Sequence, residues 1–369
     1  MTFKKLSAVL ATLPLVMGIT MASSAHAGVI SGSTVVPLIV AGAPPDSPGA
    51  RVDPNTPSSP FSGVVSINIR YDGKSFICSG TLVSKRDVVS AGHCIDTDGH
   101  GTVIDLHKPG SDVRVVFNSQ PNPGDAGRAI ITADKVTMNP NYQGFGVCPY
   151  ATTTDFCLND DISVIHMNAD APDTAKIYKI ANSNPIESGQ LVTMVGYGLS
   201  GDGVSGYYVN PSFRVKRSGQ NRMDLFDLDD EQHFNSGPQE VWYADFDGGG
   251  HDFFCEIGLA CTGALANDKE ANIGGGDSGG ASFGFDGNDY YLLGNNTFGS
   301  NFGAGGPAPG AFGNYFGGMV VGAYAEFLEG ATDGRIVIVP EPATGILMLV
   351  GLGLVGFAAR RRKQAANFA

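Results

Sequence analysis

The chain has 369 residues, of which 52 are glycine, 21 proline and only 16% charged, so few stretches can sustain a long helix and short strands with frequent turns are favoured. A formal net charge of −13 excludes the basic surface that nucleic-acid phosphates require and reads as a solubility feature. Residues 1–27 begin with Lys4 and Lys5, continue through an apolar run from Leu6 to Ile19 and end in Ala25-His26-Ala27. A charged start, an apolar middle and small residues at the end predict a secretory signal cut after Ala27. An amino-terminal membrane anchor is the alternative, but the run is short for a span. Setting both ends of the chain aside leaves about 300 residues, enough for one large domain or two packed ones.

Export makes disulfides the expectation for the six cysteines. Three pairs are close in sequence: Cys78 with Cys94, Cys148 with Cys157, and Cys255 with Cys261. No CxxC or CxxH spacing occurs, so no metal is expected on them.

Residues 43–62 are rich in proline and serine and read as an extended lead-in. Val64 to Ile69 alternates and is β-branched, and Asp72-Gly73 turns it into a hairpin partner from Ser75 to Leu82. Val113 to Phe117, Ile162 to Met167, Leu191 to Val195 and Tyr290 to Leu293 are further short strands, a spacing that predicts an all-β sandwich or barrel. Between 224 and 252 the residues Asp224, Asp227, Asp229, Asp230, Glu231, Asp245, Asp247 and Asp252 crowd together. Calcium is one reading of that stretch, but no EF-hand spacing occurs, and a solvated acidic loop is the expectation. The one good helix candidate in the core runs from Val321 to Glu329.

At the carboxyl end Val339-Pro340-Glu341-Pro342 precedes an apolar run from Ala343 to Ala359 and then Arg360-Arg361-Arg362-Lys363. As a helix the run would reach about 26 Å, marginal for a bilayer. The three-part tail over 338–363 resembles the PEP-CTERM sorting signal of Gram-negative bacteria. That resemblance implies an apolar sorting helix, transient membrane association, processing by signal peptidase and an exosortase, and a secreted or cell-surface destination by way of the periplasm. A permanent carboxyl-terminal anchor is the alternative.

Three segments carry chemistry. In Val88-Val89-Ser90-Ala91-Gly92-His93-Cys94 an imidazole follows a β-branched strand and is held by a neighbouring cysteine, which suits a fixed general base. In Asn159-Asp160-Asp161-Ile162-Ser163-Val164 a carboxylate opens an apolar strand, where it can orient an imidazole and stabilise its protonated form. In Gly274-Gly275-Gly276-Asp277-Ser278-Gly279-Gly280 flanking glycines free the backbone to turn, so that the Gly276 and Ser278 amides can converge on an oxyanion.

Histidine, aspartate and serine in this order, with Gly-Asp-Ser-Gly-Gly, resemble the trypsin-like (chymotrypsin-fold) serine peptidases across about residues 39 to 330. Four further matches extend the likeness. Cys78-Ser79-Gly80 with Cys94 looks like the disulfide bracketing the family's histidine loop, and Gly196-Tyr197-Gly198 resembles its glycine–aromatic–glycine turn. Thr297-Phe298-Gly299 resembles the strand that adds to substrate backbone, and Ile39-Val40-Ala41-Gly42 looks like the mature amino terminus. The resemblance implies two packed antiparallel Greek-key β-barrels, about 39–183 and 184–335, followed by a short helix. Residues 28–38 would then be a propeptide. It implies an endopeptidase acting on polypeptide substrates through an acyl-enzyme, with Ser278 as nucleophile, His93 as base and Asp161 as its orienter, and with no cofactor. Cleavage between Leu38 and Ile39 would let the freed ammonium pair with Asp277. Asn272 falls at the floor of the primary pocket, where an uncharged residue implies no strong preference for basic side chains. Gly274 stands where the family usually has a bracing cysteine. The longer separations from His93 to Asp161 to Ser278 imply expanded surface loops, one holding Cys148 and Cys157. A catalytically silent surface or matrix binding protein on the same fold is the alternative.

Overall fold

The computed structural model describes residues 28–29, 39–118, 128–147, 157–182, 184–300 and 306–339. The leader over 1–27, most of the 28–38 segment, Cys148 and the tail beyond 339 lie outside the described residues, and so do the expectations made for them.

In the first half β1 (Gly28–Val29), β2 (Val64–Tyr71), β3 (Lys74–Leu82), β4 (Asp87–Ser90), β5 (Asp112–Phe117), β6 (Ala129–Met138) and β7 (Ser163–Met167) form one antiparallel sheet. Its order is β1-β3-β2-β5-β6-β7-β4, and a β3–β4 pairing closes β2 to β7 into a six-stranded barrel. The turn between β2 and β3 places Asp72 at φ 49° and Gly73 at φ 74°, the pair of positive angles a two-residue hairpin needs. Val65, Ile67 and Ile69 point inward from β2, fully buried with Phe76, Val88, Val113, Val115 and Ile165. Each such side chain contributes about 1.5–3 kcal/mol. The barrel closes tightly because position 80 is glycine: a Cβ there would stand 2.5 Å from Val88.

The second half comprises β8 (Ile180–Ala181), β9 (Gln190–Gly196), β10 (Ser200–Asp202), β11 (Gly206–Val209), β12 (Arg217–Met223), β13 (Leu225–Leu228), β14 (Gln239–Asp245), β15 (Ala281–Phe285), β16 (Tyr290–Asn295), β17 (Phe298–Gly299), β18 (Tyr315–Met319) and β19 (Ile338–Val339). A six-stranded sheet, β12-β9-β15-β16-β8-β19, and a four-stranded sheet, β13-β14-β18-β17, wrap one core. Val192, Met194, Met223, Trp242, Leu293 and Phe316 fill it. A Gly294–Val320 bridge links the sheets. The helices are short: α1 (Phe253–Glu256) and α2 (Ala325–Ala331), the latter entered through a 3₁₀ turn at Val321–Tyr324, where the sequence predicts a helix. No described helix is long and apolar enough to cross a membrane. A third apolar cluster, including Ile77, Val89, Val164, Tyr178, Val195, Tyr197, Val241 and Phe283, packs the two halves together.

The stretch 224–252 departs from the expected solvated loop. It holds the β13–β14 pairing and buries Asp224, Asp230, Glu240, Asp245 and Asp247.

Candidate active site

His93 leaves the end of β4, whose Val88, Val89 and Ser90 are fully buried, and the Cys78–Cys94 disulfide fastens the next residue to β3. Asp161, fully buried, stands two residues ahead of β7, which pairs with β4, so strand pairing alone brings the two side chains together. Their contact is double. His93 N donates to Asp161 Oδ1 at 2.7 Å, and His93 Nδ1 lies 2.7 Å from Asp161 Oδ2. With a carboxylate at Nδ1 the neutral ring carries its proton there, leaving the Nε2 lone pair to accept one. That Nε2 is buried without a hydrogen-bond partner, so Ser278 Oγ is not bonded to it. The Phe145 ring meets the imidazole edge-on at 5.9 Å, an aromatic wall that no motif announced.

Ser278 is half-buried and lies against the same disulfide: its carbonyl accepts from Ser79 N at 2.8 Å and is 3.8 Å from Cys94 Sγ. Asp277 N donates to Gly274 O and Gly280 N to Asp277 O, which holds the nucleophile turn closed. Gly276 has φ 104°, open only to glycine without strain. Among the described residues no acceptor takes up the amides of Gly276 and Ser278. Ser79, which the sequence reading used only as part of a disulfide motif, has a second role. Its hydroxyl donates to Gly276 O at 2.8 Å and accepts from Tyr197 N at 2.9 Å.

Asp277 is fully buried and accepts from Gly198 N at 2.6 Å and Gly274 N at 2.9 Å. Burial pushes its carboxyl up to about 7 against those two donors and Arg217. The Gly196-Tyr197-Gly198 motif makes this fit possible: a Cβ at 196 would lie 2.2 Å from Asp277 Oδ1 and one at 198 would lie 2.3 Å from Asp277 N. The Ile39 segment docks beside this turn. Ile39 is fully buried, Val40 N donates to Asn272 O at 3.2 Å, and the Ser200 hydroxyl donates to Ile39 O.

Asn272 is buried, and its Oδ1 accepts from Ile273 N at 2.7 Å. Where a bracing cysteine is missing at Gly274, a Cβ would meet Leu199 O at 2.5 Å first and then the ring of Tyr207. That ring lies 3.0 Å from a Cβ built at 274 and 2.5 Å from one built at Gly310, while the Tyr207 hydroxyl donates to Ile273 O at 2.7 Å. Thr297, Phe298 and Gly299 run along the edge of the four-stranded sheet, with Phe298 buried and Gly299 exposed, and among the described residues one side of β17 is unpaired. The second predicted disulfide in view, Cys255–Cys261, is present, and Cys148 lies outside the described residues.

Residues 51–218 match the Trypsin family. The chain carries a trypsin domain. That match includes His93 and Asp161 and stops before Ser278. Residues 339–363 match the PEP-CTERM protein-sorting motif, which marks the trypsin domain for export to the cell surface of a Gram-negative bacterium. No curated protein matches the chain.

Proposed function

We propose that the chain is an exported serine endopeptidase that hydrolyses peptide bonds through an acyl-enzyme. The observation that carries this reading is the buried double contact between His93 and Asp161, supported by a half-buried Ser278 whose carbonyl lies 3.8 Å from Cys94 Sγ, next to His93. Ser278 Oγ attacks the scissile carbonyl as His93 Nε2 takes its proton, and the imidazolium then gives that proton to the leaving amine. Asp161 holds the ring and stabilises its charge. The Gly276 and Ser278 amides receive the oxyanion, each donor being worth about 3 kcal/mol. Asn272 lines the primary pocket, and Thr297, Phe298 and Gly299 pair with substrate backbone. The chain is a zymogen, activated when cleavage before Ile39 frees an ammonium that pairs with Asp277. An exosortase-type enzyme processes the tail, and signal peptidase the leader.

A fluorophosphonate probe on exported protein tests the reading. Labelling of Ser278, lost in Ser278→Ala together with peptide hydrolysis, is the expected result. Absence of label on processed protein returns the chain to a silent binding role. The intact mass of the same labelled sample is expected to begin at Ile39, and full activity in material beginning at Gly28 would overturn the activation step.

A further inference from the structure

A second group of carboxylates stands apart from the site above. Asp229, Asp230 and Glu231, just after β13, and Glu240 in β14 each bring one carboxylate oxygen within 4.8 Å of the others. Asp230 is 3% exposed and Glu240 6%. Asn159, two residues before Asp161, enters the same place: its Nδ2 donates to Glu240 Oε2 at 2.7 Å and to Leu228 O at 3.1 Å. Two oxygens there are orphaned. Asp230 Oδ1 and Asn159 Oδ1 are both buried without a hydrogen-bond partner among the described residues. The charged groups with the largest effect on neighbouring Asp160 and on Glu240 are carboxylates. Carboxylates gathered out of water on so few donors (Asn159 Nδ2, Asn141 Nδ2 and Gln232 N) are unfavourable unless something positive joins them.

We propose that Asp229, Asp230, Glu231 and Glu240, with Asn159 Oδ1, bind one calcium ion. Every donor is an oxygen, the choice of a hard cation; zinc and copper sites draw on nitrogen or sulfur. Calcium takes six to eight oxygens in a flexible shell, which four carboxylates and an amide oxygen can begin to fill, whereas magnesium needs a near-ideal octahedron and keeps several waters. The ion would join three segments around the candidate active site. One is the loop after β13. Another is the segment running from Asn159 to Asp161. The third is the loop 139–147, since Asn141 Nδ2 donates to Glu231 Oε1 at 2.5 Å and that loop carries Phe145 onto His93.

Calorimetric titration and thermal scans of the processed, chelator-stripped protein test this without requiring peptidase activity. The expected result is one calcium per chain, a midpoint raised by about 5 °C at calcium a hundredfold above its dissociation constant, and a smaller shift with magnesium. Asp230→Asn and Glu240→Gln should lose both binding and shift, while Asp289→Asn, on an exposed ion pair elsewhere, keeps them. Should the buried variants not fold, Asp229→Asn on the less buried rim is the substitute, with the same expected loss. Absence of calcium heat and shift in the wild type overturns the proposal, as does binding that survives the site variants. Equal stabilisation by magnesium overturns the choice of calcium.

Discussion

Tyr207 and Leu199 together close the space at Gly274 where a covalent brace is missing. With glycine at 274 and 310, a ring fills the gap between two backbone segments and its hydroxyl ties down Ile273, next to Asn272. Tyr207→Phe removes that hydrogen bond, which is worth about 1 kcal/mol, and frees the candidate pocket wall. The expected outcome in steady-state kinetics is a several-fold rise in KM with kcat changed much less, because the wall binds substrate and transition state alike. A kcat loss at constant KM would instead place Tyr207 in the chemistry. Position 274 is legible in the sequence as a glycine where a cysteine is customary. Its partner is not, because Tyr207 lies 67 positions away on β11 and only the folded chain sets it against Gly274.

At the scale of elements, the histidine loop is fastened to β3 by one disulfide, Cys78–Cys94. Cys78–Cys94 spans 16 residues and Cys255–Cys261 spans 6. Loop-closure entropy assigns them about 3 and about 2.4 kcal/mol, so stability alone hardly separates them. Activity should. Paired Cys→Ser changes at 78 and 94 loosen both His93 and the Ser278 carbonyl that abuts Cys94, and the expected loss in kcat/KM is large. The same changes at 255 and 261 leave kcat/KM near wild type while lowering the unfolding midpoint in a thermal scan. The hairpin of β2 and β3 was readable from alternation and the Asp72-Gly73 turn. Strands β12 and β14 were not: Asn221, Glu240 and Asp245 interrupt their apolar pattern, and all three are buried on hydrogen bonds that sequence does not reveal. Asn221 Nδ2, for example, donates to Glu270 Oε1 at 2.7 Å and to Asp245 O at 2.8 Å.

Across the whole molecule the buried acids set the pH response. Burial raises Glu270 to about 8, Asp224 to about 7 and Asp245 to about 6, and neighbouring carboxylates add to it; all three lie above their ordinary values of 4.5, 3.8 and 3.8. A carboxyl raised on folding holds its proton more tightly in the native state, so stability is full below about pH 4 and falls as pH rises through the native values. In chelator, the unfolding midpoint is expected to drop between pH 5 and pH 8; a midpoint that rises over that range would contradict these burials. The sequence by itself determined what depends on local pattern. The short strands of the first half, the helix after Val320 and the three segments presenting His93, Asp161 and Ser278 are of this kind, because alternation and glycine placement act between near neighbours. Only the tertiary structure decided which polar groups leave water: that Asp161 meets its histidine twice, that Ser79 holds the Gly276 carbonyl, and that the acidic stretch turns inward. Burial is set by what packs on top of a residue, and those atoms come from parts of the chain that no local pattern connects.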